Sequence, residues 1–183
     1  MKLKDLQIDK NWSLFLDRDG VINKRLMGDY VKSVDEFEFL PGVLEAISFF
    51  SQQFKYVFIV TNQQGVGKGL MSQSDLETVH KLMREQIQSH GGRIDCIFFC
   101  TDLKDQTGNC RKPGTAMGEK AFELFPDIDK NKTIMCGDTK SDMEFGEKSG
   151  MHTVFINDYQ ENESDNYEFQ FKSLIDFANE LKH

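Results

Sequence analysis

Short apolar blocks alternate with amphipathic stretches along most of this chain. Residues 14–16, 56–60, 94–100, 133–136 and 153–156 are compact runs rich in aromatic and β-branched side chains. Each is bounded by polar or turn-forming residues, the pattern of a buried parallel strand. The stretches between them carry a different period. Val43, Leu44, Ile47 and Phe50 recur at helical spacing after Leu40-Pro41-Gly42, which predicts a helix to about Gln53, with Pro41 suited to its start. Ser72, followed three residues later by Asp75, reads as the cap of a helix that runs to about Ser89 and is closed by Gly91-Gly92. Further helices are predicted at about 116–124, 141–149 (stopped by Gly150) and 174–181. Strand and helix alternate, so the expected fold is α/β: a parallel sheet covered by helices on both faces, with right-handed crossovers. Residues 23–38 are polar and too short for a cap domain, so they read as a loop or small flap, and 158–168 reads as an acidic, solvated loop.

Composition bounds this picture. With 183 residues the chain suits one domain, 1–183, with a sizeable core. Its net charge of −8 argues against a nucleic-acid partner, which calls for a basic face, but not against a small anion held by local charge. Residues 1–12 have no apolar core of a signal peptide, and no stretch has the length of a membrane span. The expectation is a cytoplasmic monomer with no membrane partner. The four cysteines, Cys96, Cys100, Cys110 and Cys136, are then expected as reduced thiols.

The chemistry gathers at strand ends. The first apolar run stops at Asp17-Arg18-Asp19-Gly20, two carboxylates two residues apart. The second ends in Thr61-Asn62, the fourth in Gly137-Asp138 with Asp142 beyond, and Arg111-Lys112-Pro113 closes the loop after the third. In an open parallel sheet such ends converge on one crevice. Acids in that number repel one another unless a cation joins them, and an all-oxygen set suits Mg²⁺. Carboxylates, a hydroxyl, a lysine and a hard cation fit phosphoryl transfer. In that reading Asp17 attacks phosphorus, and Asp19 protonates the leaving oxygen and then deprotonates water. Thr61 holds phosphoryl oxygens, and Lys112 steadies nucleophile and phosphate. The metal lies on Asp17, the Asp19 carbonyl and Asp138. Asn62, Lys68, Arg111 and Lys140 are the candidates for substrate contact at the rim, and Arg18 is a further candidate for binding substrate.

These four segments resemble, in order and spacing, the four motifs of the haloacid dehalogenase superfamily. Leu16-Asp17-Arg18-Asp19-Gly20-Val21-Ile22-Asn23, Gly28-Asp29-Tyr30-Val31, Thr61-Asn62-Gln63-Gln64-Gly65, Arg111-Lys112-Pro113 and Gly137-Asp138…Asp142-Met143 are similar to its branch of heptose bisphosphate and histidinol phosphate phosphatases. The resemblance implies a Rossmann-like sheet with the first strand central, minimal or no cap, and a small phosphorylated metabolite as substrate, with the phosphate at C7 of a heptose 1,7-bisphosphate ahead of histidinol phosphate. It implies substrate contacts at Arg111 and Asn62 and a matching Lys140. One departure stands out. The branch carries a Cys-x-His…Cys-x-Cys zinc loop, whereas this chain has Asp102 and Gly108 at two of those positions, leaving Cys100, Asp102 and Cys110. That set is poor for structural zinc, and none is expected. A polynucleotide 3′-phosphatase shares the Thr-Asn-Gln stretch but is disfavoured by the acidic balance, and a catalytically dead scaffold by the presence of both Asp17 and Asp19. Gly65-Val66-Gly67-Lys68-Gly69 lacks the spacing of a nucleotide-binding loop.

Overall fold

A computed structural model describes residues 2–157 and 166–182. Six strands form one sheet: β1 (Ser13–Leu16), β2 (Tyr56–Asn62), β3 (Cys96–Cys100), β4 (Thr133–Gly137), β5 (His152–Ile156) and β6 (Phe169–Phe171). Their order is β3-β2-β1-β4-β5-β6, and every pairing is parallel. The chain winds outward from β1 in both directions, so the order switches between β1 and β4. Ligand crevices of open α/β sheets form at such a switch, outside the carboxyl ends of the strands. Leu16, the last residue of β1, registers with Ile59 of β2 and with Cys136 of β4.

The strands are mostly apolar because both faces of the sheet are covered. Side chains alternate across a strand. Leu14, Leu16, Val57, Ile59, Ile134 and Cys136 enter one core, and Phe15, Phe58, Val60 and Met135 the other. The first core is filled by Phe50 and Ile47 of α1 (Val43–Gln53), Met83 and Ile87 of α3 (Gln73–Ser89), and Phe177 of α6 (Leu174–Leu181). The second is filled by Met117 and Ala121 of α4 (Ala116–Leu124) and Phe145 of α5 (Lys140–Lys148). The expected cap of α3 is present: Ser72 Oγ accepts from the Asp75 N–H at 3.0 Å and Asp75 Oδ2 accepts from the Ser72 N–H at 2.8 Å.

Two elements are not legible in the sequence. β6 is three residues long, too short for an alternation to show, and it exists because Phe169 to Phe171 pair with Val154 to Ile156. The single turn α2 (Gln64–Gly67) follows β2 directly. Of the acidic stretch read as a loop, residues 158–165 lie outside the described residues. The flap is an extension of the first strand–turn. Asn23 bridges to both Asp19 and Phe39, and the Tyr30 hydroxyl accepts from Gln64 Nε2 of α2 at 3.3 Å.

Arg18 is not at the rim. Its side chain is fully buried, which corrects its reading as a substrate contact. The guanidinium donates to both carboxylate oxygens of Asp19, at 3.0 and 3.2 Å, and to Gln63 Oε1 at 3.2 Å, and it faces His80 Nε2 of α3 at 3.2 Å. A buried charge needs such partners. Burial first, then the neighbouring Arg18, pushes His80 from 6.5 down to about 3, so the ring is a neutral acceptor.

Two predictions follow from this packing. A Cβ on Gly146 of α5 would lie 2.8 Å from Thr153 Cγ2 and 3.0 Å from Met135 Cβ. Alanine is favoured over glycine inside a helix by about 1 kcal/mol. Here that gain is outweighed, because a stiff β-branched side chain and a side-chain stem cannot give way cheaply. Gly146→Ala should lower the thermal unfolding midpoint; a raised midpoint would show that α5 sits less tightly on the sheet. The second concerns pH. An unfolded His80 takes up a proton near its ordinary value while the folded one does not, so the folded state loses stability as pH falls through 6.5 toward about 3. His80→Gln keeps an acceptor without a titration. It should lessen the fall in unfolding free energy from pH 7.5 to 5.5 by about 1.4 kcal/mol in urea titrations. Equal losses in variant and parent would remove His80 from this role.

Candidate active site

The crevice is built at the carboxyl ends of β1, β2 and β4. Asp17 follows β1 directly, and its N–H donates to the Cys136 carbonyl at 2.9 Å, which continues the ladder one residue past the strand. The chain then turns at Gly20, whose φ is +91° and whose missing Cβ would overlap the Asp138 carboxylate. Only glycine serves there, on both counts.

Lys112 is the centre of the site. Its ammonium is buried and reaches Asp17 Oδ1 at 2.8 Å, Asp142 Oδ1 at 2.6 Å and the Val60 carbonyl at 2.7 Å. The lysine comes from the long loop after β3, and Asn62 at the end of β2 fixes it there. The Asn62 amide donates to the Lys112 carbonyl at 3.1 Å and accepts from the Lys112 N–H at 3.0 Å. Both ends of that amide are engaged with the Lys112 backbone, so Asn62 positions Lys112, and a second N–H and a second lone pair of the half-buried amide remain uncommitted. Asp142 is equally committed. Its Oδ2 caps α5 by accepting from the Thr139 N–H at 3.0 Å and from the Thr139 hydroxyl at 2.6 Å, while Oδ1 meets the lysine.

The two acids of the first motif have opposite surroundings. Burial, then the Asp142 charge, raises Asp17 to about 6, against the lowering effect of Lys112. Burial and the charges of Asp17 and Asp142 raise Asp138 to about 8. Asp19 behaves otherwise. Burial opposes its ionisation, but Arg18, Asn23 and Gln63 hold the carboxyl below its usual range. Gln63 Nε2 donates to Asp19 Oδ2 at 2.8 Å and to Thr61 Oγ1 at 2.9 Å, and Asn23 Nδ2 donates to Asp19 Oδ1 at 3.0 Å. Thr61 is buried beside this network.

Arg25 is the residue that sequence reasoning missed. It comes from the flap, and its Nη2 lies 2.8 Å from Asp138 Oδ1, 3.0 Å from the Asp19 carbonyl oxygen and 4.0 Å from Asp17 Oδ2. These are the three oxygen donors expected to hold a metal. A cationic group drawn onto them shows that the donor set fits a hard cation. A flap arginine with no periodic or motif context carries no signal in sequence. Gln63 and Tyr30 stand in the motifs quoted from the sequence, but their contacts there are seen only in the fold.

The rim candidates separate. Arg111 is half-buried, with Nη1 3.4 Å from the Asp102 carbonyl. Lys68 is exposed, and its Nζ stands 5.4 Å from the centre of the Tyr30 ring. Lys140 is not drawn into the acid cluster: its side chain is 67% exposed and pairs with Glu144 at 3.9 Å. The loop before Arg111 brings a further correction. Cys100 and Cys110 are joined by a disulfide rather than held as two thiols, and Asp102 Oδ2 accepts from the Cys110 N–H at 3.0 Å. Cys96 and Cys136 are free. The resemblance to a zinc loop groups Cys100 with Cys110, and the structure joins them by a bond rather than through a metal.

Among the described residues, no helix is long and apolar enough to cross a membrane. Comparison with known proteins gives consistent results. A family model described as HAD-hydrolase-like matches residues 109–177. The chain is 41% identical over 133 residues to the D-glycero-alpha-D-manno-heptose-1,7-bisphosphate 7-phosphatase of Mycobacterium bovis, covering 73% of this chain and 70% of that protein. It is 35% identical over 173 residues to the Campylobacter jejuni protein of the same name, covering 94% and 97%. The crystal structure of a D,D-heptose 1,7-bisphosphate phosphatase from B. bronchiseptica, complexed with magnesium and phosphate, aligns with a TM-score of 0.84 at 28% identity, covering 93% of this chain and 98% of that one. With its Rossmann-like sheet, its acids at the switch point and relatives this similar, the chain belongs to the haloacid dehalogenase (HAD) family and is a phosphoric monoester hydrolase.

Proposed function

We propose that this chain, acting as one catalytic domain and as a monomer, is a Mg²⁺-dependent phosphatase that removes the C7 phosphate of a heptose 1,7-bisphosphate through an aspartyl-phosphate on Asp17. The observation that carries the reading is the Lys112 ammonium holding Asp17 Oδ1 at 2.8 Å at the head of the central strand, beside Asp138. The substrate is supported by relatives, 35–41% identical, that are named as heptose-1,7-bisphosphate 7-phosphatases.

In this reading Asp17 attacks phosphorus, an Asp17–O–P bond forms, and the bond from phosphorus to the sugar oxygen breaks. Lys112 orients the attacking carboxylate and balances charge on the phosphoryl oxygens. Asp17, the Asp19 carbonyl and Asp138 would hold Mg²⁺. When bound, the ion supplies the positive charge that favours the ionised carboxylates and neutralises phosphoryl oxygens. Asp19 gives the sugar oxygen its proton; it then takes one from the water that attacks phosphorus and frees Asp17 and phosphate. Held by four hydrogen bonds from Arg18, Asn23 and Gln63, Asp19 is poised as a base. The acid half of its role requires those donors to loosen. Arg111 and Lys68 line the rim that reads the rest of the substrate, and the Arg111 fork suits hydroxyl pairs or a second phosphate.

Asp17→Asn nearly preserves size and removes the nucleophile, so the variant should fold and release phosphate at less than a tenth of the parent rate. A folded variant within tenfold of the parent would overturn the role of Asp17. On substrate choice, a heptose 1,7-bisphosphate should exceed histidinol phosphate in kcat/KM by at least about tenfold, which needs only ~1.4 kcal/mol of differential transition-state binding. Arg111→Ala should erase most of that preference, as read by kcat/KM on both substrates. Histidinol phosphate as the better substrate, or equal losses on both, would overturn this reading of the rim.

A further inference from the structure

Arg25 does not belong to the phosphatase motifs, yet it makes the only ion pair of Asp138 among the described residues. Its Nη2 also takes the Asp19 carbonyl at 3.0 Å and approaches Asp17 Oδ2 at 4.0 Å. No neighbouring group can replace it there. Lys112 is committed to Asp17, Asp142 and Val60, and Arg18 is turned to Asp19, Gln63 and His80. Three buried or half-buried carboxylates, Asp17, Asp138 and Asp142, lie close enough for their oxygens to be within 4.8 Å of one another. Lys112 answers two of them, and the third is answered by the flap.

The geometry points to Arg25 as a built-in competitor of the divalent cation, an inference that rests on the Mg²⁺-dependent reading above. Magnesium takes oxygen ligands at about 2.0–2.1 Å and demands near-octahedral placement. A guanidinium nitrogen at hydrogen-bond distance from two of the same oxygens leaves no room for that ion. Metal entry must therefore turn Arg25 out of the crevice. Its side chain is 37% exposed and sits on a loop, so it can swing without disturbing the core. Turning out to admit the ion breaks the one link from Arg25 to Asp138, while Asn23 keeps the flap on Asp19. The freed cation stays at the mouth of a site that receives a phosphorylated substrate, where its charge is useful.

Competition of this kind weakens the apparent affinity for the ion by the fraction of time in which the oxygens are free. If the guanidinium holds them about nine-tenths of the time, the apparent Kd is raised about tenfold. The test is Mg²⁺ titration of the intact protein by isothermal calorimetry, with thermal unfolding in chelator and in saturating Mg²⁺. Arg25→Gln should bind Mg²⁺ about tenfold more tightly than the parent. It should unfold at lower temperature than the parent in chelator, and the gap should close in saturating Mg²⁺. Arg25→Lys, with its shorter stem and a charge that cannot fork, should also bind more tightly than the parent, which keeps the test available if Arg25→Gln does not fold. Lys24→Gln removes an adjacent charge that is exposed and paired with Glu38 at 3.6 Å. It should leave Mg²⁺ affinity within about twofold of the parent. Equal or weaker Mg²⁺ binding by both Arg25 variants overturns the proposal while leaving the metal-dependent reading intact. A gain from Lys24→Gln as large as that from Arg25→Gln also overturns it, since net charge then suffices. If neither parent nor variants bind Mg²⁺, the metal reading and this inference fall together.

Discussion

A buried ammonium between two buried carboxylates is the constraint on which the site depends. Taking Lys112, Asp17 and Asp142 out of water costs several kcal/mol per ion, and only close pairing with further hydrogen bonds offsets it. Each bond is in place: two ion pairs below 3 Å and a backbone carbonyl for the lysine, and a helix cap for the second oxygen of Asp142. The arrangement also joins three separate parts of the chain. Asp17 belongs to the central strand, Lys112 to the loop after β3, and Asp142 to the first turn of α5. Removing Lys112 would leave two buried carboxylates without their cation, whereas removing either acid leaves the lysine paired with the other.

The next layer outward divides the two acids of the first motif. Asp17 sits among other carboxylates and is pushed up by burial and by Asp142. Asp19, two residues on, turns the other way, into the donors Arg18, Asn23 and Gln63, and is held down. Strand alternation would put two residues at this spacing on one face. The strand ends at Leu16 and the chain turns away at Gly20, so two chemically identical groups acquire different environments. Arg18 and the neutral His80 beneath it complete the support from α3, which explains why a fully buried arginine occurs beside a crevice.

The rim is the least constrained part. Arg25 and Tyr30 come from the flap and Lys68 from the end of the turn α2; Val31, Phe37 and Phe39 anchor the flap in the core, while the rim side chains themselves are held by a few hydrogen bonds and ring contacts. Regions of this kind open at low free energy. The carboxylates at the strand ends are set by the sheet, and the groups around them are adjustable. A flap arginine rests on those carboxylates.

Much of this was determined by the sequence alone. Continuous apolar runs specify strands buried on both faces, and helical periods between them specify crossover helices, because each period places side chains on a definite face. The ends of those runs carry Asp17, Asp19, Thr61 and Asp138, so their convergence follows from a parallel sheet, while Lys112 reaches them from the loop after β3. What required the tertiary structure is which of two partners a side chain chooses. Arg18 turns inward and Asn62 spends both amide ends on Lys112 because burial makes an unpaired polar group costly, and the nearest partners are distant in sequence. β6 forms because β5 offers an edge, not because three residues encode a strand. The disulfide from Cys100 to Cys110 and the placement of Arg25 on the acids depend on loop paths, where no repeating period exists for a sequence to display.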